Sequence, residues 1–95
     1  MSAQRPAWVV RAADGWLGFD APTARAWDGV CAALGLDRLR EDPRCASAEV
    51  RARHHAALLA DLEAVTGRWT RYELRLALDC EEVEAVVALE PERTG

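Results

Sequence analysis

Lysine is absent from this chain of 95 residues, and all twelve basic residues are arginine. An arginine-only, alanine-rich composition reads as coding bias rather than as a sign of guanidinium chemistry. The formal net charge is −4, with no concentrated basic face, which argues against nucleic-acid binding. No apolar run approaches the roughly twenty residues of a membrane span, and the segment from Met1 to Pro6 lacks the hydrophobic stretch of a signal peptide. Cysteine is sparse and odd in number. Cys31, Cys45 and Cys80 show no C-x-x-C spacing, so neither a disulfide framework nor a zinc site is expected. The cytoplasm is the expected setting. There is also no Gly-rich phosphate loop, no G-x-S-x-G and no metal motif.

What is present fits a single domain over residues 1–95, ordered from about 7 to 89 and frayed at both ends. Ala7-Trp8-Val9-Val10-Arg11-Ala12 is aromatic and β-branched, as a strand should be. Ala13-Asp14-Gly15 supplies turn chemistry, and Trp16 to Asp20 returns, so residues 7–20 are expected to form a hairpin. Trp16 and Gly18 then share one face while Leu17 and Phe19 share the other. Pro22 suits the first position of a helix whose apolar residues are Ala24, Trp27, Val30/Cys31 and Leu34, with Gly35 as its stop. Leu36 to Arg40 is expected to form one further turn. Asp42, preceding Pro43, is pushed out of helical geometry.

The longest helix is expected over residues 48–66, with Val50, Leu58, Leu62 and Val65 as its core stripe and Gly67 ending it. Thr70 and Glu73 have the spacing of a capping box, with Trp69 and Leu74 placed as a hydrophobic staple. That helix runs to Asp79 or Cys80. Residues 83–89 are β-branched and read as a last strand, because two hairpin strands need a partner to bury a sheet face. The expected fold class is α+β: a small antiparallel sheet, from the N-terminal hairpin plus the C-terminal strand, packed with three main helices.

No residue stands out as catalytic or metal-binding. His54 and His55 are adjacent and point about 100° apart on a helix, so they do not chelate one ion as an i, i+4 pair would. Asp14, Asp20 and Asp28 fall in a turn, at a strand end and on a helix face, without the paired environments of acid–base catalysis. Arg38, Arg40 and Arg44 form a short basic run able to meet a phosphate, with ion pairs to Glu41 and Asp42 as the simpler account. Glu81, Glu82, Glu84, Glu90 and Glu92 make an acidic end that suits a solvated face or an acidic patch for a basic partner. Cys31 falls on an apolar helix face, whereas Cys45 and Cys80 lie near element ends and are expected to be more exposed. Four tryptophans are many for a chain of this size, and three are expected to pack in the core.

The order Ala13-Asp14-Gly15-Trp16, Ala33-Leu34-Gly35, Asp42-Pro43-Arg44, Arg51, Leu58-Leu59, Thr70 with Glu73-Leu74, and Val83 with Val86 resembles the small domain of the class III CoA-transferases. That family includes formyl-CoA transferase, the carnitine CoA-transferases and the α-methylacyl-CoA racemases. The resemblance covers residues 7–89. It departs from the family pattern at Cys45, where many relatives carry Phe, and at Glu82-Val83-Glu84, where they carry G-V-P. The family's catalytic Asp lies in a large domain with no counterpart here. The resemblance therefore implies a non-catalytic domain acting through protein association, with itself or with a CoA-transferase-like large-domain protein. The interaction candidates are Trp8, Trp16, Glu82 and Glu84. One alternative is an accessory subunit that completes a CoA-transferase or acyl-CoA racemase. Another is a small-ligand module with a tryptophan-lined groove. Catalysis by this chain alone is not expected, and neither is a cofactor of its own. CoA or acyl-CoA is expected only in complex with a large domain, the weak contact candidates being Arg38, Arg40 and Arg44.

Overall fold

A computed structural model describes residues 6–90. Strand β1 (Trp8–Ala12) and strand β2 (Gly15–Phe19) form the hairpin, and strand β3 (Ala85–Ala88) adds antiparallel to β2 in the order β1-β2-β3. Helix α1 (Ala24–Leu34) follows the hairpin, then two short 3₁₀ turns at Asp37–Arg40 and Pro43–Cys45. Helices α2 (Ala48–Arg53), α3 (His55–Thr66) and α4 (Arg71–Cys80) complete the chain before β3. The class is α+β. The frayed ends expected at residues 1–5 and 91–95, and Glu92 with them, lie outside the described residues. Pro6 and Glu90 lie inside them, and Pro6 lies against Gly18.

The register sorts the sheet into two faces. Trp8, Phe19 and Ala85 align in one inward row, and Val10, Leu17 and Val87 in the next. All of these except Val87 are buried against the helices. With Trp27, Val30 and Cys31 of α1, Leu58 and Leu62 of α3, and Leu74 and Leu78 of α4, they form one core. Helix α3 packs on β1, and α4 packs on α1 and β3. Of the four tryptophans, Trp8 and Trp27 are buried, while Trp16 and Trp69 are half-buried.

Four features depart from the sequence pattern. Pro22 precedes α1 instead of opening it. Thr23 is the cap, in extended backbone, and its Oγ1 accepts from Ala26 N at 3.1 Å. The helix expected over residues 48–66 is two helices. At His54 the backbone takes φ −107° and ψ 23°, and its N–H is shared between Val50 O at 3.2 Å and Arg51 O at 3.1 Å. The core stripe is also turned by one residue at both ends. Arg51 and Thr66 are buried, while Val50 and Val65 are only half-buried. Each polar residue is accepted inside because carbonyls meet it: Thr66 Oγ1 donates to Arg11 O at 2.7 Å, and Arg51 bonds two others described below. Cys45, expected near the surface, is 5% exposed, because the second 3₁₀ turn directs it into the core.

Two helices end in the same hydrogen-bond motif. After α1, Leu36 N donates to Cys31 O at 2.8 Å and Gly35 N to Ala32 O at 3.3 Å. After α4, Val83 N donates to Leu78 O at 2.9 Å and Glu82 N to Asp79 O at 3.0 Å. Both are Schellman closures, which need one left-handed residue. Gly35 takes φ 69° without strain. Glu82 takes φ 61° with a Cβ in the way. The buried Val83 that follows holds it there.

The start of α4 has the reciprocal cap: Thr70 Oγ1 accepts from Glu73 N at 3.2 Å, and Glu73 Oε1 accepts from Thr70 N at 2.9 Å. Thr70→Ala should cost about 1 kcal/mol in chemical denaturation. Trp69→Ala should cost about 2 kcal/mol, less than a fully buried indole would. Equal and negligible losses would mean that neither cap nor staple holds this corner. Glu82→Gly should raise stability by about 1 kcal/mol by relieving the left-handed strain. A loss in the same measurement would show that the Glu82 side chain outweighs the backbone.

Candidate functional site

Three regions carry the residues that chemistry or recognition would use. The basic run is the first. Arg44 lies across two carboxylates. Its Nη2 is 2.8 Å from Asp42 Oδ2 and 2.9 Å from Asp61 Oδ2, and its Nε also donates to Asp42. Asp42 in turn accepts from Arg44 N at 2.9 Å. Hydrogen bonds from the Arg44 side chain and backbone hold the Asp42 carboxyl down at about 2, and the two carboxylates push the guanidinium up from its ordinary value. Arg40 is 3.7 Å from Asp37 and donates to Asp28 O at 3.4 Å. Arg38 is exposed, and its side chain makes no ion pair or hydrogen bond among the described residues. Of the three arginines, Arg44 is thus engaged by Asp42 and Asp61, and Arg40 by Asp37 and the Asp28 carbonyl.

The second region is a cleft of about 520 Å³ between β1, the link from β2 to α1, and α2. Arg51 forms part of its wall and is 3% exposed. Its Nη1 donates to Cys45 O at 3.0 Å and its Nη2 to Ala21 O at 3.3 Å. The guanidinium carbon lies 5.2 Å from the centre of the Trp27 ring. Trp8 sits deeper, 5.3 Å from Trp27 and stacked at 4.4 Å with the ring of His55. His55 Nε2 is 3.1 Å from Ala7 O and donates to it. Helical periodicity alone gave no reason to single out Arg51 as a site residue. The sequence named Arg51 only as one position of the family resemblance, and its expected core stripe ran through Val50 instead.

The third region is the outward side of the sheet with its β3 edge. Val9 and Gly18, Arg11 and Trp16, Trp16 and Ala88, and Gly18 and Val86 are cross-strand partners on that side. It is almost wholly apolar. Val86 is 48% exposed, while Val87 and Leu89, which extend the inward rows past the helices, are 61% and 90% exposed. Trp16 belongs to this face. Glu82 and Glu84 flank it and are exposed, with Glu82 paired to Arg25 at 3.3 Å. Trp8 lies on the opposite, buried side, reached only through the cleft.

The remaining groups have structural tasks. Asp14 accepts from Arg71 N at 2.8 Å, and Asp20 accepts from Ala7 N at 2.6 Å. Asp28 is exposed, and so is His54. Burial pushes the Cys31 thiol up to about 12 and raises Cys45 as well, leaving Cys80 as the exposed cysteine. Among the described residues no group of three His, Cys, Asp or Glu side chains is placed to hold a metal, and no helix is long and apolar enough to cross a membrane.

The Arg44 network gives a pH test. A carboxyl held below its ordinary 3.8 contributes stability that is present above that value and is lost as pH falls through about 2. An NMR titration should therefore place the Asp42 midpoint near 2 in the native protein, and Arg44→Ala should return it toward 3.8. An unchanged midpoint in the variant would show that Arg44 is not the cause.

The comparisons with known proteins agree with this architecture. The profile of CoA-transferase family III matches residues 1–94. None of the curated proteins matches the chain. Among solved structures, the hypothetical protein Rv3272 from Mycobacterium tuberculosis is similar with a TM-score of 0.80 and 29% identity, over 95% of this chain and 25% of that one. A CAIB/BAIF family protein from Brucella suis is similar with a TM-score of 0.79 and 26% identity, over 87% of this chain and 22% of that one. The chain thus spans about a quarter of the length of the solved structures it matches. With sheet, helix order and a family match over nearly every residue in agreement, the chain belongs to CoA-transferase family III.

Proposed function

We propose that this domain acts through protein association, its partner being a large domain of the same family, and that it carries no catalytic group of its own. The observation behind this reading is the apolar outward sheet face and its β3 edge, unpaired among the described residues: Trp16 with Val9, Val86 and Ala88 on the face, and Val87 and Leu89 beside it. An edge strand that keeps two exposed valines, and whose backbone groups on one side lack a strand partner among the described residues, is suited to being covered. Glu82 and Glu84 sit at the margin of this surface, where charge sets the orientation of a partner more than its affinity.

The large domain supplies the reactive carboxylate and holds CoA, and this domain shields that site from water. A homodimer through the same face is the competing assembly.

Co-expression with the separate large domain of a family member should give a complex active on acyl-CoA donors, while either chain alone stays inactive. Val86→Glu together with Val87→Glu, both at exposed positions, should abolish the complex and leave the melting temperature of this domain unchanged. Analytical ultracentrifugation reads the assembly directly. A strict monomer in every mixture, with no activity gained, would overturn the reading, and a self-dimer blind to the large domain would replace it with the homodimer.

A further inference from the structure

We propose that the cleft walled by Arg51 binds a small organic monoanion, a carboxylate on a compact apolar body, with the Arg51 guanidinium as the anion's partner. This assignment does not depend on which protein covers the sheet face.

The argument starts from charge. Arg51 is 3% exposed, yet among the described residues no carboxylate forms an ion pair with it. Arg44, far more exposed, has two. A guanidinium carries five N–H groups, and the hydrogen bonds of Arg51 go from Nη1 and Nη2 to the Cys45 and Ala21 carbonyls. Carbonyl oxygens and the Trp27 ring give Arg51 dipoles and a quadrupole, not a countercharge. A cation withdrawn from water without a counterion is costly, and an anion that reaches it gains strongly from the low local dielectric. The remaining donors of the planar fork suit the two oxygens of a carboxylate.

The walls describe the rest of the ligand. Small side chains leave the room: Ala48 and Ala52 on α2, Ala21 and Pro22 on the link into α1. The volume of about 520 Å³ falls within the range of small-molecule sites. The lining offers an apolar body little besides methyl groups, a proline ring and the Trp8–His55 stack. His55 is held by its bond to Ala7 O, so this wall is already formed. Asp20 lies on the same cleft, with its Oδ1 accepting from Ala7 N. Its negative charge disfavours a polyanion and selects a single charge that reaches Arg51 past it.

The test uses benzoate as the anion and benzamide as its neutral isostere, followed by two-dimensional NMR of the intact chain. Benzoate should shift the Trp8 indole and Ala52 amide signals saturably, and benzamide should bind at least about tenfold more weakly. Asp20→Asn keeps an oxygen for Ala7 N and removes the opposing charge, so it should tighten benzoate severalfold and leave benzamide unchanged. Ala52→Phe fills the cleft from an exposed helical position and should abolish the benzoate shifts at an unchanged melting temperature. If Arg51→Ala folds, it should erase the difference between benzoate and benzamide. Failure of benzoate to saturate in the millimolar range would overturn the proposal, as would equal binding of the two probes to the native protein. Loss of the sheet-face partner with retention of the benzoate shifts would separate this site from the association surface.

Discussion

A single buried guanidinium joins pieces of this fold that the sheet does not reach. Arg51 leaves α2, lies over the Trp27 ring, and donates to carbonyls of the second 3₁₀ turn and of the link between β2 and α1. Each carbonyl belongs to irregular backbone, where ladder partners are missing and an unmet acceptor would be costly. By meeting both, Arg51 sets where the 3₁₀ turn sits and how α2 enters. Cys45 is buried and Trp8 and Trp27 lie close together in the same corner.

The other end of the molecule is built around helix termini. The hairpin tip is fastened to the α3–α4 corner by Ala13 N donating to Trp69 O at 2.8 Å and by Asp14 accepting from Arg71 N. There the capping box starts α4, and the Schellman closure through Glu82 ends it and aims the chain into β3. Family relatives place G-V-P at this bend, and the left-handed φ of Glu82 shows why glycine suits it. Here a charged residue occupies the strained position, at the margin of the apolar sheet face. That placement joins local strain to the surface through which the domain is proposed to meet its partner.

Where one short-range signal has one physical meaning, sequence and structure agree. Gly35 takes the left-handed conformation after α1, Asp42 stays extended before Pro43, Thr70 and Glu73 cap each other, and the alternation in the hairpin matches its two faces. Where two local signals compete, the neighbours in space choose. Pro22 and Thr23 could each open α1, and Thr23 does. Arg51, Leu58 and Leu62 fall near one side of an uninterrupted helix, so nothing in the periodicity marks the break at His54. Among candidate site residues, Trp16, Glu82 and Glu84 reach the apolar face or its margin, whereas Arg44 is taken up by Asp42 and Asp61 and Trp8 is buried.

The amino-acid sequence by itself determined the fold class, the order of strands and helical segments and the family, because capping hydroxyls, turn glycines and apolar alternation act over a few residues; it did not determine the break at His54. Tertiary structure decided which polar groups go inside. Arg51 and Thr66 are buried because carbonyls distant in the chain, Ala21 O and Arg11 O among them, arrive to satisfy them, and no local pattern carries that information. It decided in the same way that Val86 and Val87 remain outside: Val86 lies on the sheet face turned away from the helices, and Val87, though on the inward row with Leu17, is not covered by any helix among the described residues.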